Sequence, residues 1–334
     1  MTDTEPIVDV HVHHYTDDYL TTLEAAAGVE TYRRPADGRF VARWNGGVAL
    51  TVPQPHPTLE QRLDMMDQVG IRTQVLSVPS PNSYFLPPKA SADLALRTNE
   101  AFAEIVRARP ARFQFLAMVP LVDVDFATEV TEVALGQLGA KGIMLLTNVD
   151  GVPLDDARFE PYWQYADERG LLVHMHPTVP VAGGTLADHA LAISVGFFAD
   201  TNLAVARLAY SGVFERYPRI RWVISHLGGT LPFMLPRLDN YWKQFPAAKE
   251  HSPRPPSAYI KELLFDTAST HRPALQCAAE TLGAQRLVFG TDYPHVPGGS
   301  GPFLAAVETV AASGPDREAL LWGRADALLA GRAV

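Results

Sequence analysis

The chain has 334 residues, 47% of them hydrophobic and 19% charged, which is too rich in core-forming side chains for a disordered segment and too evenly mixed for a membrane protein. Against 37 acidic residues stand 28 basic ones in no run, and the net charge of −9 removes the electrostatic footprint of a nucleic-acid binder. One cysteine, Cys277, excludes an intrachain disulfide and a cysteine-rich zinc module, so a bound metal would have to be held by histidine and carboxylate.

The opening MTDTEP carries two acids and no apolar stretch follows it, which points away from a secretory or transit peptide and towards the cytoplasm, with no membrane partner. Short β-branched runs then alternate with apolar residues at helical spacing. The candidate strands are Ile7 to Val10, Thr73 to Val78, Phe113 to Val119, Gly142 to Leu146, Leu171 to Val173, Arg221 to Ser225, Leu263 to Asp266 and Leu287 to Phe289. Helical patterns such as Leu59 to Gly70, Ala92 to Arg109 and Asp125 to Gly139 lie between them, most ending in Gly or Pro. Eight alternations imply parallel pairing through right-handed crossovers, and closure into a single (β/α)8 barrel over residues 1–334 is the economical solution. A doubly wound open sheet is the second choice, and no Gly-rich phosphate loop follows the first strand to support it. Irregular stretches after strands 1 and 5, at 16–57 and 177–200, read as lids or pocket walls, because barrel insertions sit on the catalytic face.

Histidines and acids gather at the strand ends. After the first strand, His11 and His13 share a face and can present two imidazoles to one metal, or stand as half-buried polar groups at a strand end. His174 and His176 close the fifth strand, His226 follows the sixth, and Asp292 follows the eighth. In a barrel these ends converge on one mouth, an arrangement that packing alone does not explain.

These motifs resemble the amidohydrolase superfamily, and within it the amidohydrolase-related family that includes aminocarboxymuconate semialdehyde, resorcylate and 6-methylsalicylate decarboxylases. The resemblance rests on Asp-Val-His-Val-His, the stretches at 76–85, 110–121 and 211–218, Val-His-Met-His-Pro, Ser-His-Leu-Gly-Gly and Gly-Thr-Asp-Tyr-Pro, and it spans nearly the whole chain. It implies that His11, His13, His176 and Asp292 bind one divalent ion, zinc or else manganese, with His226 beside it as acid/base. No lysine lies in the Gly142 to Leu146 strand to bridge a second metal, since Lys141 precedes it. His174 reads as a supporting histidine and Asp9 as a residue that orients the strand or a ligand. Relatives are commonly dimers or tetramers, so a homodimer or larger homo-oligomer is expected.

For substrate contacts the candidates are Arg43, Trp44, Tyr84 and His295. Arg43 is the arginine of the first insertion that best matches the one with which related decarboxylases hold a substrate carboxylate. With Trp44 and Tyr84, the aromatics Phe85, Phe197 and Phe198 could form a pocket wall. The implied activity is non-oxidative decarboxylation of a hydroxybenzoate-type or conjugated unsaturated acid, with Asp292 or His226 handling the proton. A hydrolase or hydratase that opens a lactone or adds water would use the same groups and is the alternative. A catalytically inert ligand-binding protein fits least well, since every expected ligand is present.

Overall fold

The computed structural model describes residues 6–180, 183–295, 301–308, 315–332 and 334. Eight strands pair in parallel in chain order: Ile7–His13, Ile71–Ser77, Phe113–Phe115 continued by Ala117–Met118, Ile143–Leu146, Leu172–His176, Arg221–Ile224, Leu264–Asp266 and Leu287–Val288. The third strand breaks at Leu116, its first half pairing back to the second strand and its second half forward to the fourth. Closure comes from the loop beyond the eighth strand: Val10 N donates to Phe289 O at 3.0 Å and His13 N to Tyr293 O at 2.7 Å. The expected closed barrel is therefore the fold, and the open sheet is not.

Every strand sends an apolar side chain into the lumen. Val8, Val10, Val75, Leu116, Met144, Leu172, Val223, Leu264 and Val288 form one buried cluster, joined by Ala325 and Leu328 from the helix Arg324–Leu329. This plug leaves the polar strand ends to the opposite mouth. The first strand carries a bulge: between Asp9 and Val12 it advances three residues while its partner advances two, from Gln74 to Leu76. A strictly alternating strand could not put both Val10 and His11 on its inner face, and the bulge does so beside the site.

Outer helices start and stop where their end chemistry dictates. Leu59–Val69 opens on a reciprocal capping box between Thr58 and Gln61 and ends at Gly70, whose φ of 78° suits glycine. The segment Ala192–Tyr210 is long and apolar enough to cross a membrane. In this fold it packs Ala204, Val205, Leu208 and Ala209 against the barrel.

The first insertion is more regular than its composition suggests. It holds a helix, Asp17–Ala25, and a three-stranded antiparallel sheet of Glu30–Arg33, Phe40–Trp44 and Gly47–Val52. Asn45 and Gly46, with φ of 50° and 77°, make the two-residue turn between the last two strands, the chemistry that an Asn-Gly pair supplies.

Candidate metal centre and active site

Three histidines have one ring nitrogen committed to the scaffold and the other turned inward. His11 Nδ1 lies 2.7 Å from Asp266 Oδ2. Ser77 spends its hydroxyl proton on Val12 O at 2.9 Å, so at 3.1 Å it accepts from His13 Nδ1. His176 Nδ1 donates to Pro177 O at 2.7 Å. These bonds select the tautomer that leaves each Nε2 free as a ligand. The His11 and His13 Nε2 atoms stand 3.0 Å apart, and Asp292 Oδ1 lies 2.9 Å from the latter and 3.4 Å from the former. Two lone pairs and a carboxylate at this separation repel one another unless a positive charge lies among them. The donor set therefore fits a divalent cation.

The titration behaviour agrees. Burial opposes charge on His11, but Asp266, Asp292 and Asp9 outweigh it and lift His11 to about 9. A proton there fills the role that a cation would take. Burial holds His13 and His176 well below the ordinary histidine value. Burial would raise Asp292, yet the close His13 and His226 rings keep it well below the usual carboxylate range.

His226 follows the sixth strand. Its backbone N donates to Asp266 Oδ1 at 2.8 Å, and its Nε2 lies 3.5 Å from Asp292 Oδ2. Ligand atoms of His11, His176, His226 and Asp292 all fall within 4.8 Å of one another. His226 and Asp292 both have positive φ, 55° and 60°, a left-handed conformation that costs a non-glycine residue on the order of 1–3 kcal/mol. Strain of this kind collects where position matters more than local comfort.

Behind the ligands stands a brace that the sequence reading missed. Asp266, the last residue of the seventh strand, accepts from His11, from His174 Nε2 at 2.9 Å and from the backbone N of His226 and Ala268. His174 is thus a support, as expected. Asp9 accepts from Thr291 Oγ1 at 2.7 Å and from the backbone N of Thr291 and His11, tying the first strand to the Asp292 loop, and burial pushes it up to about 7. Gly290 is small of necessity, since a Cβ there would meet His11 Cβ at 2.8 Å and Asp266 Cβ at 3.0 Å.

His176, His226, Asp292 and His295 face a cavity of about 410 Å³. Its other walls include Ala49, Leu50 and Thr51 from the first insertion, and Ile193, Ser194, Phe197 and Phe198 from the second. His295 lines it, but both its nitrogens are engaged: Nδ1 donates to Thr51 O at 2.9 Å and Nε2 pairs with Tyr15 OH at 2.8 Å. Arg43, Trp44 and Tyr84 do not reach the cavity. Arg43 donates to Ala187 O at 3.3 Å and lies 3.6 Å from Glu30, while Trp44 and Tyr84 are buried in the core. Phe85 is likewise core, whereas Phe197 and Phe198 form wall as expected.

The model of the amidohydrolase family matches residues 8–330. The chain is 30% identical over 328 residues to the 6-methylsalicylic acid decarboxylase acuB of Aspergillus aculeatus, covering 92% of this chain and 91% of that protein. With the 2-amino-3-carboxymuconate-6-semialdehyde decarboxylase of Dictyostelium discoideum it shares 29% identity over 235 residues, 70% of this chain and 66% of that protein. Among solved structures, the dihydroxybenzoic acid decarboxylase of Polaromonas sp. JS666, with bound manganese and 2-nitroresorcinol, superposes with a TM-score of 0.81 at 24% identity, over 99% of this chain and 98% of that one. With the family match covering the barrel from its first strand to its last helix, the chain belongs to the amidohydrolase family.

Proposed function

We propose that this protein is a divalent-metal-dependent, non-oxidative decarboxylase of a hydroxylated aromatic acid. The observation that carries the reading is the meeting of His11, His13, His176 and Asp292 at the barrel mouth, where His176 and Asp292, with His226 beside them, line a largely apolar cavity. Those four residues would hold one ion. Three imidazoles and a carboxylate suit zinc, and manganese, bound in the Polaromonas enzyme, is the other candidate. When bound, the ion supplies positive charge for the substrate carboxylate and a neighbouring ring oxygen.

The chain's own groups manage the proton. Asp292 is held ionised, so at neutral pH it is no store for the proton that the ring carbon needs. His226 Nε2, at the cavity wall and 3.5 Å from Asp292 Oδ2, is the carrier in this reading. Protonation of the carboxyl-bearing carbon is followed by cleavage of its bond to the carboxylate. Carbon dioxide leaves, and the bonding pair restores the aromatic ring. Phe197 and Phe198, whose rings lie 6.2 Å from His176 and 5.8 Å from His226, limit water at the reacting centre.

The test is carbon dioxide release from hydroxybenzoates and aminomuconate-type acids by protein loaded with zinc or manganese. The His226→Gln variant is expected to keep its metal and lose about 100-fold or more in kcat. If no acid reacts while lactones are opened in a metal-dependent way, the hydrolase alternative replaces this reading.

A further inference from the structure

The cavity's charge limits the kind of acid it can take. Its barrel end carries two acidic side chains, Asp292 at the wall and Asp266 behind it, bonded to His11 and to the backbone of His226. Among the described lining residues there is no lysine or arginine. Two arginines of the insertion's middle strand and its entry make other contacts: Arg39 donates to His295 O at 3.3 and 3.4 Å, and Arg43 to Ala187 O. A bound divalent ion would then be the positive group that the site offers, enough for one carboxylate and the oxygen next to it.

The rest of the wall is neutral. Leu50, Ile193, Phe197, Phe198 and Phe303 supply apolar surface, and the polar side chains beside them, such as Thr51 and Ser269, are uncharged hydroxyls. A second carboxylate pressed against this wall would be desolvated without a counter-charge, whereas an alkyl group would bury apolar area there. Resting on the decarboxylase reading above, we propose that the cavity selects a monocarboxylic aromatic acid with an apolar ring substituent and rejects dicarboxylic acids of the same size.

Calorimetric titration of the manganese-loaded full-length chain tests this with two acids, 2-hydroxy-6-methylbenzoate and 3-hydroxyphthalate, in which a carboxylate replaces the methyl group. The diacid is expected to bind at least about 100-fold more weakly. Ser194 is exposed and lines the wall, so Ser194→Arg adds a guanidinium without disturbing the core and should recover about tenfold or more of the diacid's affinity. Equal or tighter binding of the diacid to the unmodified protein overturns the inference, as does an unchanged gap in the Ser194→Arg variant. Carbon dioxide release is followed separately. Its absence from every acid, with the affinity order kept, overturns the decarboxylase reading and leaves the selectivity standing; release with the order reversed does the opposite.

Discussion

His11 stands where proton and metal compete, because its Nε2 faces His13 and Asp292 while Asp266 fixes its Nδ1. Near pH 7 His13 and His176 are neutral and Asp292 is ionised, but His11 is lifted to about 9 and keeps its proton. Uptake of a divalent ion at pH 7 should therefore release about one proton per chain, and apparent affinity should climb about tenfold per pH unit until His11 deprotonates unaided. Metal titration in buffers of different ionisation enthalpy measures this. Release of no proton would mean that His11 is not displaced, and normal metal content in a His11→Ala, His13→Ala double variant would remove both from the ligand set. These positions are legible in the sequence because each follows the last apolar residues of a strand, where a polar side chain has nowhere to point except the mouth. Asp266 obeys the same rule, but its role is not legible. Its partners His11 and His174 lie 255 and 92 residues away, and nothing local marks a lone acid as their brace.

Elements hold the ligands through one another, and the helix Leu59–Val69 does so through Arg62. That side chain is fully buried; it donates to His13 O at 2.6 Å and Gln74 Oε1 at 3.0 Å, and its guanidinium lies 4.7 Å from the Tyr293 ring centroid. It thereby clamps the end of the first strand to the loop that carries Asp292. Burial lowers Arg62 only to about 10, so the group stays charged at neutral pH. Arg62→Met leaves two buried acceptors unpaired, a loss of about 1–3 kcal/mol each, and should weaken metal binding by about tenfold or more. Arg62→Lys should recover part of the affinity, since an ammonium can still reach His13 O. Denaturant melts and metal titrations on both variants check this, and unchanged affinity in Arg62→Met would make the clamp a matter of stability alone. Helix and strand periodicity was easy to read along the barrel, but the first insertion was not. Its Gly, Pro and Arg residues obscure three short strands, although the Asn45-Gly46 pair is a hairpin signal in its own right. Arg43 is held outside the cavity, opposite Glu30 on the antiparallel neighbour and with its guanidinium on Ala187 O.

At the scale of the whole molecule, four groups from the first, fifth and eighth strand ends converge in a barrel that otherwise closes through backbone bonds and a lumen of aliphatic side chains. An ion held there would bind the folded chain and not the unfolded one. Metal at about 100 times its dissociation constant should then add about 2.7 kcal/mol, and stripping it with a chelator should lower Tm by about 4 °C. Differential scanning calorimetry with and without chelator, and after metal is restored, measures this; a melting curve indifferent to metal would count against the centre. The cavity wall has a separate origin. Ala49, Leu50 and Thr51 reach it from a hairpin whose ladder is formed within the insertion, whereas His226 and Asp292 stand on the barrel. In the proposed reading, reactivity rests on the barrel and part of the choice of substrate on the insertions. On that reading, a lineage could change residues 49–51 and meet a new aromatic acid without rebuilding the chemistry beneath it.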